Sequence, residues 1–128
     1  MDKSEILKTF NNHITEFFDD VLKIFPEDND IKVAKTSLIA MRKANPRLII
    51  NSWKEYIADK YTSEIEAGNV DFFLYKNYSD DVKNEQDASM ILDKIDTLRE
   101  PIKQMGEENL QKTIKYIQNL TKLCIMYK

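Results

Sequence analysis

The chain has very little of what interrupts a helix: 2 glycines and 3 prolines in 128 residues. So few breakers leave room for few turns and predict a small number of long helices. Two isolated glycines also exclude a glycine-rich phosphate-binding loop, and no nucleophile elbow occurs. The single cysteine, Cys124, rules out an intramolecular disulfide and suits a reducing compartment. The N-terminus carries no unbroken apolar run of signal-peptide type, and no stretch is long enough to span a bilayer. These absences predict an intracellular chain that acts without a membrane. Hydrophobic residues make up 42% and charged residues 32%, a soluble globular composition. At this length one domain over residues 1–128 is expected, burying roughly two-thirds of its unfolded surface without a staple.

Charge is present in blocks. Residues 1–30 hold 3 lysines against 8 acids, and residues 31–61 hold 7 basic residues against 2 acids. Residues 62–87 return to a net −5 and residues 88–128 come to +2, for a total of −3. The acidic total argues against a general nucleic-acid coat, while the basic block calls for a partner hypothesis.

Apolar spacing defines the helices. Leu7, Phe10, Ile14, Phe17 and Val21 recur at 3-4-3-4, widened by Ile6, Phe18, Leu22 and Phe25. Ser4 is a candidate cap for this first helix, and Pro26 stops it. A second helix is expected from about Ile31 to Ala44, with Asp28 or Asp30 as cap. Asn45 and Pro46 then suit the cap and first position of a third, running to at least Lys60 and ending at the latest near Gly68. Asn69 is a candidate cap for a short helix carrying Phe72, Phe73 and Tyr75, and residues 79–87 form a polar loop. Ile91, Ile95, Leu98, Ile102 and Met105 stay in phase through Pro101. They predict one kinked helix, or two helices meeting at Glu100–Pro101, ended by Gly106. Leu110, Ile114, Ile117, Leu120, Cys124 and Tyr127 complete the set. The sum is an all-α bundle of five or six helices joined by short loops, with a kink near Pro101.

The stretch KANPRLIINSWKEYIADKY, residues 43–61, mixes cations with Trp53, Tyr56 and Tyr61. On a helical wheel Trp53 lies at the centre of an apolar face with Ile49, Ile50, Tyr56 and Ile57. The indole is therefore expected in the core and not on a base. The charges remain available. Lys32, Lys35, Arg42 and Lys43 share a sector of the second helix, and Arg47 and Lys54 share an edge of the third. Together they can form a basic corner for an acidic protein face, a second copy of the chain, or phosphate. Equally, they can be a solvated surface answering Glu16, Asp19 and Asp20 of the first helix.

Candidate catalytic chemistry is sparse. His13, Glu16 and Asp20 share one helix face, and Asp93, Asp96 and Glu100 form a second acidic ladder. Two such ladders can resemble the paired ExxE and ExxD motifs of all-α, magnesium-dependent nucleotide pyrophosphohydrolases, although the intact pair is missing at their usual separation. Zinc wants more His or Cys than one histidine supplies. Cys124 falls on an apolar face with only a distant histidine as partner and reads as a buried small hydrophobe. No catalytic residue, cofactor or metal is assigned.

Three stretches, FNNHITEFFDDVLKIFPEDNDI, LIAMRKANPRLIINSWKEYI and REPIKQMGEENLQKTIKYIQNLTKL, together resemble small uncharacterised helical proteins of nucleocytoplasmic large DNA viruses. The resemblance runs from about Leu7 to Tyr127 and rests on overall pattern. It implies a viral origin and work in an infected cell, cytoplasm or nucleus, or in a virion, and it carries no functional residues. Lys, Ile and Asn account for 41 residues, with Lys outnumbering Arg 16 to 3, as AT-rich coding would produce. The function expected is non-catalytic protein–protein interaction, with nucleic-acid binding through the same cations second and magnesium-dependent nucleotide hydrolysis third.

Overall fold

The structure, a computed structural model, describes residues 2–69, 71, 74 and 86–127. Every regular element among the described residues is helical. Helix α1 spans Lys3–Ile24. Asp2 caps it, accepting the Glu5 N–H at 2.9 Å, so the cap falls two residues before Ser4, where a full negative charge meets the positive helix end. Phe25 closes α1 through its N–H on the Val21 carbonyl, with Pro26 following. Helix α2 is Asn29–Ala44, and Asp28 supplies its cap through the Ile31 N–H at 3.1 Å.

The third helical run is less regular than its spacing predicts. The Asn45 side chain accepts the Arg47 N–H at 3.2 Å, holding Pro46 and Arg47 in a turn, and helix α3 begins only at Leu48, spanning Leu48–Trp53. A π-helical turn, Lys54–Ala58, joins it to α4, Asp59–Glu66. The π turn bonds i to i+5 and so slips one residue into the apolar phase. Ala58, which a regular wheel turns outward from Trp53, is thereby buried beside Tyr56 and Ile57. Tyr61 then leaves helical geometry at φ −128°, ψ 22°. The run ends in a Schellman motif: the Gly68 N–H reaches Ile65 O at 3.0 Å, and the Asn69 N–H reaches Glu64 O at 2.8 Å. Gly68 takes φ +78°, a conformation that disfavours any side chain.

Asn69 accepts the Asp71 N–H at 3.0 Å, as a cap would. Phe72, Phe73 and Tyr75 lie outside the described residues. So does residues 79–85 of the polar loop expected over 79–87, while Gln86 and Asp87 open helix α5, Gln86–Asp96.

Two helices stand here, as in the two-helix alternative, but their junction is displaced from Glu100–Pro101, and Pro101 lies inside the second of them. The helices meet at Thr97–Leu98, one turn before the proline, and α6 is Arg99–Lys103. Proline lacks an N–H and its ring crowds the carbonyl four residues back, here Thr97. The backbone tightens there, with Thr97 and Leu98 bonding three residues back to Lys94 and Ile95. Gly106 ends this part and, in extended geometry, precedes helix α7, Glu107–Met126.

Helix α1 packs against α7 and α2, and α5 packs against α2 and α3. The buried side chains form one connected cluster. Trp53 lies at its heart with no exposure. Its indole N–H donates to Thr121 Oγ1 at 3.2 Å, and Phe10 meets its ring edge-on at 6.2 Å. Of the three rings in residues 43–61, Trp53 and Tyr56 therefore lie in the core and Tyr61 is half-buried.

Replacing Trp53 by Ala should destabilise the fold by about 3–5 kcal/mol in urea unfolding. Because Trp53 is the single tryptophan, native emission should be blue-shifted and resistant to iodide quenching. Red-shifted, quenchable native emission would contradict the buried placement.

Candidate functional site

Six cations were the sequence-level candidates, and the structure treats them unequally. Lys35, on the flank of α2 that faces α1, forms an ion pair with Asp19. Lys54, in the π turn, lies 3.5 Å from Asp59. These two are at least partly neutralised within the fold. Lys32, Arg42, Lys43 and Arg47 make no side-chain ion pair among the described residues. Lys32, Lys43 and Arg47 are exposed and Arg42 is half-buried.

Arg42, Lys43 and Arg47 flank the α2–α3 turn, whose backbone is held from both sides. Asn11 of α1, itself buried, donates its side-chain N–H to Pro46 O at 2.9 Å. Asn45 engages Arg47 N–H as described. Lys32 is eleven residues upstream of Lys43, roughly 16 Å along the helix, and beside Asp19, Leu22 and Pro26 in a shallow hollow. The structure thus gathers three cations at the turn and distributes the others along α2 and in the π turn.

Helix electrostatics accounts for some of these cations and not for others. Arg42 and Lys43 occupy the last turn of α2, where positive charge complements the dipole by about 0.3–1 kcal/mol. Lys32 falls in the first turn of α2, and Arg47 immediately precedes α3. At both places a cation opposes the dipole, so helix stability gives no reason for either charge.

The acidic ladders are occupied by other contacts. Asp20 accepts a hydrogen bond from the Tyr116 hydroxyl on α7. His13 packs on the Tyr116 ring at 4.7 Å and places Nδ1 3.4 Å from Glu16. Tyr116 also stacks on Phe17, with centroids 5.0 Å apart and planes 13° from parallel. Burial first, and then the hydrogen bond to Asp20, push the Tyr116 phenol well above its ordinary range. On the other ladder Asp96 pairs with Arg99 at 2.9 Å and Glu100 with Lys103 at 3.1 Å. Among the described residues no group of three or more His, Cys, Asp or Glu side chains is arranged to hold a metal ion.

Cys124 is fully buried, its thiol directed at Ile50 O 3.7 Å away. Burial pushes the thiol well above the usual thiol range, and neighbouring Lys54 pulls against that while Asp59 adds to it. Such a group lacks the thiolate that nucleophilic chemistry needs. No helix among the described residues is long and apolar enough to cross a membrane.

The α1–α7 cluster of His13, Phe17, Asp20 and Tyr116 was not read from the sequence. Helical spacing put His13 and Asp20 on one face, but Tyr116 is 96 positions from Asp20, and no local signal joins them.

Burial raises the Asp96 carboxyl above its ordinary value, and Asp93 adds to this while Arg99 opposes it. A raised folded-state pKa means stability that is complete below the unfolded value and is lost as pH rises through the folded one. Asp96→Asn removes the buried charge and keeps an acceptor for Arg99. It should therefore raise the melting temperature slightly at pH 7, by less than about 1 kcal/mol equivalent, and the gain should vanish below about pH 4. A gain of equal size at pH 3 and pH 7 would contradict this assignment.

Comparison with known proteins places the chain in no family: no family, curated protein or solved structure matches it.

Proposed function

We propose that this is a non-catalytic protein-interaction module of a large DNA virus, working in an infected cell or a virion and docking an acidic protein surface at the α2–α3 corner. One observation carries the reading. The 24 residues 31–54 contain six cations and no acid, and four of those cations have no ion-pair partner among the described residues. Lys32 and Arg47 add weight, because their positions at helix starts cost helix stability and so call for another use.

Phosphate can answer the same cations. The burial of Trp53 and Tyr56 takes away two of the three rings of residues 43–61 on which a single strand could stack, leaving only the half-buried Tyr61. Backbone binding to a duplex needs no rings and is the competing outcome.

The test compares wild type with Lys43→Glu/Arg47→Glu. Both positions are exposed, so the variant should fold. Affinity capture from infected-cell lysate should retain a protein that the variant loses by roughly tenfold or more, with retention weakening as salt rises. Retention of the same proteins by both baits would defeat the proposal. Binding to labelled duplex DNA with a steep salt slope, abolished in the variant, would transfer the corner to nucleic acid. Light scattering at low and high salt identifies the case in which the partner is a second copy.

A further inference from the structure

The seam between α1 and α7 holds a half-open pocket of about 280 Å³, just below the range for drug-sized ligands, roughly 300–1,000 Å³. Its apolar side is aliphatic and sulfur-bearing: Val21, Ile24 and Met105. Val21 is buried, whereas Ile24 remains 37% exposed, a large hydrophobic side chain left half open at the pocket. Met105 is flexible and polarisable, so this side can adapt to an alkyl chain. The wall is firm, since Phe17 and Tyr116 are stacked on each other.

The polar side determines the sign of the ligand. Asp20 is the one acid among the described lining residues, and it is already answered by the Tyr116 hydroxyl and by Lys23 at 3.4 Å. Lys112 and the Asn109 side chain also line the pocket, and neither has a side-chain partner among the described residues. Lys112 can only donate, and Asn109 offers an N–H beside its amide oxygen, so a ligand head that satisfies Lys112 must accept hydrogen bonds. A cationic head would meet two ammonium groups and an acid whose charge is already met.

We propose that this pocket binds a small aliphatic carboxylate, with its head on Lys112 and Asn109 and its chain on Val21, Ile24 and Met105. The inference does not depend on the basic corner.

Octanoate is the probe, titrated into the labelled full chain and followed by amide ¹H–¹⁵N shifts. Saturable shifts should localise to the amides around Val21, Ile24, Met105 and Thr113. The expected Kd is about 1 mM, ordinary for a ligand this small. Lys112 is exposed, so Lys112→Glu should fold, as its own spectrum will show, and weaken octanoate roughly fivefold or more. Lys112→Gln should fall between the two. Octylammonium should leave the same amides unmoved. Three results would each overturn the proposal. The first is the absence of localised shifts at about 20 mM octanoate, far above the expected Kd. The second is octylammonium binding there equally well. The third is an octanoate affinity indifferent to the charge at position 112.

Discussion

The bundle depends on the placement of one indole. Trp53 joins three helices at once: it sits on α3, donates its N–H to Thr121 on α7, and takes the edge of Phe10 from α1. A buried N–H without an acceptor would cost about 1–3 kcal/mol. The Thr121 hydroxyl, 68 positions away in sequence, therefore fixes the rotation of α7 about its axis as well as its distance. Once that rotation is set, Cys124, just under one turn further on, meets the Ile50 carbonyl. Gln118, just under one turn earlier, reaches Ile65 O at 3.0 Å and helps satisfy the end of α4.

The same constraint explains the irregular third run. A continuous α-helix from Leu48 onward would keep Trp53 and Ile57 inward but would carry the following residues out of phase with α7. The π turn over Lys54–Ala58 absorbs one residue, and the departure of Tyr61 from helical geometry redirects the chain. Ile65 then returns to the core with 1% exposure. Local backbone regularity is given up so that side chains on both halves of the run can be buried.

Packing also sorts the charges. Lys35 and Asp19 meet because α1 and α2 lie side by side. That contact realises part of the solvated-surface reading, in which the basic block answers the acidic first helix. It leaves the cations around the α2–α3 turn, together with Lys32, facing outward. Along the α1–α7 seam the outcome is reversed. There an acid is engaged by Tyr116 and Lys23, and donors are left over. The two surfaces differ in kind: one is an open field of cations, the other a small pocket with an apolar side.

Helix positions, most inward faces, the Asp28 cap and the Gly68 stop were legible in the sequence. Each depends on residues within a turn or two of one another, where spacing and capping chemistry act directly. Trp53 was legible for that reason, as were the six cations as candidates. The π turn, the break at Thr97–Leu98 and the pairing of charges were settled only in three dimensions. The first accommodates a helix far along the chain, and the second places a proline's steric demand one turn away from the proline. Pairing depends on which helices become neighbours: nothing local to Asp20 announces Tyr116, and nothing local to Lys35 separates it from Lys32. Sequence alone therefore determined most of what each helix buries, because periodicity is a local property. Tertiary structure decided which polar groups remain unanswered, because an ionic or hydrogen-bonding partner is supplied by whichever element packs alongside.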